Sequence, residues 1–238
     1  MGEGVPGDGE VLRDAINDIV GGAAICFVGA GFSWGATDAY GKDVPSVADL
    51  CDEISSFPGV EGGAGAQLTD LAEFCNDHPQ LRQKLVAHLI ARLTHCEPSP
   101  AHQLIMQMPW RAVFTTNFDD VAERSLPSAD RVVLTPATDA RNLRADRRPL
   151  YYLHGRALDF LEGVEDPGLV LSESNYLELR TKNRRLYSAL ENEVHSASRI
   201  FFIGYSLKDA EIASRLFAIA GLREKSIVIC GPSEKASR

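Results

Sequence analysis

Residues 23–33 read Ala23-Ala24-Ile25-Cys26-Phe27-Val28-Gly29-Ala30-Gly31-Phe32-Ser33. An unbroken apolar run closed by glycines is the pattern of a strand covered on both faces of a parallel sheet, with a tight turn at its carboxyl end. The same grammar returns at 111–115, 131–135, 150–154, 199–203 and 226–230, with helical spacing between most of these runs. Strands alternating with helices predict an α/β fold with a doubly wound, mostly parallel, Rossmann-like sheet whose ligands sit at the strands' carboxyl ends.

Leu12, Ile16, Ile19 and Val20 lie at helical spacing and predict a helix over 11–20, preceded by a Gly-rich, acidic stretch at 1–10 expected to be disordered. A single domain is expected over 11–238. Within it, residues 46–108 break the alternation with helical patterns at 68–75, 81–93 and 102–108, and with a flexible turn at 59–65. This segment is expected to be a helical insertion covering one side of the cleft.

With 238 residues, 45% of them hydrophobic, the chain can bury a sizeable core. Its formal net charge of -9 repels a phosphate backbone, so nucleic acid is not the expected partner of this domain. No apolar run approaches the roughly 20 residues needed to cross a bilayer, and the first ten residues lack a basic start and an apolar core. No membrane association and a cytoplasmic location are the expectations. Five cysteines without a CxxC pair predict reduced thiols, and His95, Cys96 and His102 match no common ligand spacing, so no metal is expected. Arg141, Arg144, Arg147 and Arg148 read as a solvated loop.

Four motifs follow predicted strands. In Gly29-Ala30-Gly31-Phe32-Ser33 the glycines allow a tight turn and a close backbone approach to a pyrophosphate, and the Ser33 hydroxyl adds a hydrogen bond. In Thr115-Thr116-Asn117-Phe118-Asp119-Asp120 the Asn117 amide can both donate and accept, enough to orient a water or a ribose hydroxyl, while either acid could simply cap the next helix. His154-Gly155 puts an imidazole of near-neutral pKa at a strand end, suited to general-base work. Gly204-Tyr205-Ser206-Leu207 offers a second ribose or phosphate contact. A P-loop is excluded because Gly41-Lys42-Asp43 lacks the final hydroxyl, and a dehydrogenase pattern is disfavoured because residues 35–45 are loop-like, resembling a mobile cover. Lys208-Asp209-Ala210-Glu211 reads as the acidic start of a helix.

In this order and spacing the four motifs resemble the sirtuin (silent information regulator) family, over about residues 20–232. The resemblance implies an NAD site: the loop of Gly29, Ala30, Gly31 and Ser33 at the pyrophosphate, Asp119 at the nicotinamide amide, and Gly204 and Ser206, with Gly231 after the last strand, on the adenosine side. Asn117 and His154 take the catalytic roles, positioning the reacting centre and acting as general base. Two departures stand out. Residues 156–203 contain no cysteine, where family deacylases carry a four-cysteine zinc module. The family's Pro-x-Phe-Arg is replaced by Val44-Pro45-Ser46-Val47. The chain is thus similar to the zinc-free sirtuin-like branch of bacterial anti-phage effectors. That branch implies NAD hydrolysis to nicotinamide and ADP-ribose by a homo-oligomer, with an activating partner or a further C-terminal domain. An NAD-dependent protein deacylase and a non-enzymatic module binding NAD or ADP-ribose are the alternatives.

Overall fold

The computed structural model describes residues 8–60, 65–138, 146–207 and 209–231. In chain order the elements are α1 (Asp8–Val20), β1 (Ala24–Val28), a 3-10 turn (Ala30–Ser33), α2 (Val47–Ser55), α3 (Leu68–Asn76), α4 (Pro79–Leu93), α5 (Pro100–Gln107), β2 (Ala112–Thr115), α6 (Val121–Arg124), β3 (Arg131–Leu134), β4 (Arg148–Tyr152), α7 (Leu158–Leu161), α8 (Glu173–Lys182), α9 (Arg184–Ser196), β5 (Arg199–Ile203), α10 (Ala210–Phe217), α11 (Leu222–Lys225) and β6 (Ser226–Ile229). The strands form one parallel sheet in the order β3-β4-β2-β1-β5-β6. This is the expected doubly wound, Rossmann-like α/β fold.

Side-chain alternation along each strand divides the core in two. Ile25, Phe27, Phe114 and Phe202 pack with Leu190 and Val194 of α9 and Ile212 and Leu216 of α10. Ala24, Cys26, Val28, Val113 and Tyr152 face the other way, against Ala15 and Ile19 of α1, Met106 of α5 and Val121 of α6. Because β1 is central, all five of its residues are completely buried. Burying a side chain the size of Ile25 or Phe27 stabilises the fold by roughly 1.5–3 kcal/mol, which is why this run governs the architecture.

Several boundaries differ from the sequence expectation. α1 begins at Asp8, so residues 8–10 are helical, while 1–7 lie outside the described residues. β4 begins at Arg148, because pairing with β3 extends it backwards, and it ends at Tyr152. Arg148 is accordingly a strand residue that donates to the Met106 carbonyl at 2.6 Å rather than part of a solvated loop; Arg141 and Arg144 lie outside the described residues. The insertion's own core comes from α2, α3 and α4, through Leu50, Ile54, Leu71, Leu85 and Leu89, whereas α5 packs on the sheet. Residues 35–45 are fastened rather than free. Thr37 bridges to Asp43 and Glu97, and the Asp38 carboxylate accepts from the Tyr40 and Lys42 N–H groups and from Arg92 of α4. Among the described residues, no helix is long and apolar enough to cross a membrane.

The turns leaving β1 and β5 touch backbone to backbone. A Cβ on Gly204, whose φ is +59°, would overlap the Phe32 nitrogen and the Gly31 carbonyl carbon, and one on Gly29 would lie 2.7 Å from Gly204 O and Tyr205 Cα. Gly204→Ala should therefore lower the melting temperature far more than Gly35→Ala. The latter position also has positive φ but meets nothing within 4 Å, leaving only a left-handed backbone cost of about 1–2 kcal/mol. Equal losses in thermal melts of the two variants would refute the close-approach account.

Candidate active site

A cleft of about 660 Å³ opens at the carboxyl ends of β1, β2, β4 and β5, beneath the helical lobe. Ala30, Gly31, Asn117, Asp119, His154, Gly204 and Ser206 all line it. Gly29 and Ser33 stand just behind, hydrogen-bonded to Asn117. Gly231 is exposed beyond β6 and is not part of the lining.

The glycine loop is braced in a way the sequence does not reveal. The Gly29 N–H donates to Ile203 O (3.1 Å) and the Gly31 N–H to Gly204 O (2.9 Å), so these two amides are spent inside the protein and are not open to a pyrophosphate. Asn117 Nδ2 donates to both Gly29 O and Ser33 Oγ at 3.0 Å; since a carbonyl can only accept, the amide's orientation is fixed. Ser33 Oγ passes the chain on, donating to Asp119 Oδ2 at 2.8 Å, while Asp119 Oδ1 accepts from the Val121 N–H. Burial pushes the Asp119 carboxyl up to about 6, against the pull of the Ser33 and Val121 hydrogen bonds. Asp120 does not cap a helix with its side chain. Its carboxylate accepts from the N–H groups of His95 (2.7 Å) and Cys96 (2.9 Å), tying the chain that leaves α4 to the β2 turn.

His154 lies two residues past the end of β4. Its carbonyl accepts from the Val170 N–H, and Gly155, with φ of +75°, lets residues 167 and 168 pass so closely that a Cβ would lie 2.8 Å from Pro167 O. The imidazole is only 3% exposed, and burial lowers its pKa to about 4, partly opposed by the charge of Asp209. The near-neutral value expected from sequence is thus replaced by an imidazole held neutral.

Two residues of this site, Tyr176 and Asp209, were not singled out by sequence. Tyr176 Oη donates to Asp209 Oδ2 at 3.1 Å, and its ring meets that of His154 edge-on with centroids 5.7 Å apart. Asp209 was read as the start of a helix, and its Oδ1 does accept from the Ile212 N–H at the head of α10; its Oδ2 is the oxygen beside Tyr176 and His154, and the residue lines the cleft. His102 is occupied elsewhere. Nδ1 accepts from the Ser99 N–H, which leaves Nε2–H to donate to Phe32 O. Among the described residues no group of three or more His, Cys, Asp or Glu side chains is gathered as a metal site.

Fold and cleft together define a Rossmann-like α/β protein of sirtuin type, with its site at the strand ends where the chain order of the sheet reverses. The chain belongs to the SIR2-like domain family, which matches residues 111–235. A solved Sir2 enzyme superposes with a TM-score of 0.51 and 16% identity, over 92% of this chain and 91% of its own. A SIR2 homolog in complex with NAD gives a TM-score of 0.53 at 14% identity, over 91% of this chain and 80% of its own. These likenesses bear on the fold. No curated protein sequence matches the chain.

Because Asp119 titrates higher when folded than its ordinary 3.8, the folded state binds the extra proton between about pH 4 and 6. Stability from this group is therefore lost as pH rises through that window. Asp119→Asn should gain stability relative to wild type as pH increases from 4 to 6.5, by at most roughly 3 kcal/mol, and level off above. His154 acts with the opposite sign over the same range, but it is common to both proteins and cancels in the difference. Melting temperatures measured across that range test this; a difference independent of pH would contradict it.

Proposed function

We propose that this domain is an NAD glycohydrolase of the zinc-free sirtuin-like effector type, cleaving the nicotinamide–ribose bond to give nicotinamide and ADP-ribose. The observation carrying the reading is that the Ser33–Asn117–Asp119 network and a neutral, buried His154 meet in one cleft with the Gly204–Ser206 turn. In the reaction the bond from the ribose C1′ to the nicotinamide nitrogen breaks, its electron pair leaves with nicotinamide, and charge builds on the ribose as an oxocarbenium ion. Water adds at C1′ and releases a proton. His154 takes that proton. Asp119 engages the nicotinamide amide, the Asn117 carbonyl oxygen orients the water or ribose, and Ala30, Gly31, Gly204 and Ser206 accommodate the rest of the dinucleotide. A base of low pKa serves here because water bound to a developing cation becomes strongly acidic, so the need is for an imidazole that is unprotonated and dry.

Two features favour hydrolysis over peptide deacylation. The segment 156–203 contains no cysteine, and its residues fold instead as α7, α8 and α9, packed on the lobe and the sheet. Elemental analysis of the purified protein is expected to find no stoichiometric zinc; one zinc per chain would remove the protein from this branch.

Nicotinamide release from NAD is the direct assay. His154→Gln should reduce it by about 10²–10⁴-fold, the range typical of a lost general base. Asn117→Ala should reduce it by about 100-fold or more through misplacement of the reacting centre. It should also cost about 1–3 kcal/mol of stability, because it leaves Gly29 O and Ser33 Oγ short of a donor. With the imidazole neutral down to about 4, His154 should not halve the wild-type rate near pH 6.5; a fall measured between pH 7 and 5.5 should have its midpoint near 6, where Asp119 titrates. Near-normal turnover in both variants would defeat the assignment, and a wild type that binds NAD without releasing nicotinamide would favour a binding module.

A further inference from the structure

Beneath the cleft, three buried polar atoms make no hydrogen bond among the described residues: His154 Nε2, Tyr187 Oη and Tyr205 Oη. The carboxylate of Asp209 acts on all three of these residues. Its Oδ2 lies 3.4 Å from His154 Nε2, within charge-pairing distance but without a hydrogen bond, and already accepts from Tyr176 Oη at 3.1 Å. Its Oδ1 is fixed by the Ile212 N–H at 3.0 Å. The turn delivering it is specialised, since Gly204 and Leu207 both have positive φ, at +59° and +56°, uncommon for a leucine. Three elements crowd the carboxylate: α8 with Tyr176, α9 with Tyr187 and the β5 turn with Tyr205. Within α10, Arg215 is held by Glu191 and Glu211 and lies over the Tyr187 ring.

We infer that Asp209 is the positioning residue for His154, holding the imidazole as the Nε2–H tautomer so that Nδ1 keeps the lone pair that receives the proton. This rests on the reading of His154 as the general base. A carboxylate at 3.4 Å can only be approached favourably by the protonated ring nitrogen. A shift of a few tenths of an ångström would turn this contact into an ordinary charge-assisted hydrogen bond. The division of labour within Asp209 is what makes the role possible. One oxygen is committed to the helix and cannot rotate away, so the other stays aimed at the ring. Tyr176 steadies that second oxygen and packs its ring on the imidazole. Tyr187 and Tyr205 enclose the group in side chains that exclude water without competing for it. Such an orienter acts through the imidazole, and its removal admits the wrong tautomer.

The variants are Asp209→Asn and Asp209→Ser, both of which keep a side-chain oxygen suited to the helix head while deleting the charge. Tyr176→Phe tests the steadying hydroxyl. Histidine ¹⁵N spectra of the full chain at pH 7, with the His154 signal among the six histidines identified by its loss in His154→Gln, should show a single Nε2–H tautomer in wild type. Both Asp209 variants should show a tautomeric mixture with melts close to wild type. Nicotinamide release should fall by about 100-fold or more with KM for NAD little changed, and Tyr176→Phe should lose a few-fold. An unchanged tautomer in both Asp209 variants would overturn the proposal. If wild type releases no nicotinamide, hydrolysis fails as the reaction; a changed tautomer would then still establish the hold of Asp209 on His154.

Discussion

The constraint on which the site depends is the contact between the turns that leave β1 and β5. Neighbouring strands place their exits side by side, and Gly29, Gly31 and Gly204 let the two backbones close without side chains between them. The carbonyls of Ile203 and Gly204 take the amides of Gly29 and Gly31, and Asn117 from the β2 turn takes the Gly29 carbonyl. Two strand ends are thereby joined by main-chain groups, and the third by the Asn117 side chain. The glycine loop, commonly understood as a device for approaching a ligand, serves here first as a device for approaching another part of the same chain.

That rigid floor explains why costly groups can be held on it. Asp119 and His154 are each buried beyond what an isolated carboxyl or imidazole tolerates, and each shifts toward its neutral form in response. The surroundings of the third motif, His154-Gly155, are equally overdetermined. Two residues after His154, the buried Arg156 binds Glu123, Asp159 and Glu162, the Leu153 carbonyl accepts from Asn183 Nδ2, and the His154 carbonyl from the Val170 N–H. A side chain whose Nε2 finds no hydrogen bond among the described residues is thus mounted on a backbone held by its neighbours.

Most of the architecture was legible because it is written in local patterns. The apolar run of β1 announces a strand buried on both faces, and the glycines after it mark the strand end, so sheet type and cleft position follow together. Legibility faded where long-range partners decide. Nothing near Leu150 tells that pairing with β3 pulls the start of β4 back to Arg148. Residues 35–45 have the composition of a free loop, and only Arg92, about fifty positions away, reveals that Asp38 is an anchor. The pKa of His154 could not be foreseen for the same reason. Residue type sets the ordinary value, but burial by α8, α9 and the β5 turn sets the actual one.

The acids show why structural and chemical roles resist separation in a sequence. Asp209 stands where a helix start wants an oxygen, and a cap is a sufficient reason for its presence, yet capping uses only Oδ1. Asp119 likewise gives Oδ1 to the Val121 N–H and Oδ2 to Ser33. In both, the helix fixes χ1 and χ2 through one oxygen, and the second oxygen inherits a direction that no isolated carboxylate would keep. A capping acid at a strand-to-helix junction is therefore a better candidate for an oriented site group than an uncommitted one. The junctions of this sheet hold two such acids, Asp119 and Asp209, beside a third, Asp120, whose side chain caps no helix. Of these, Asp120 is turned back into the fold to hold His95 and Cys96, whereas Asp119 and Asp209 reach the cleft.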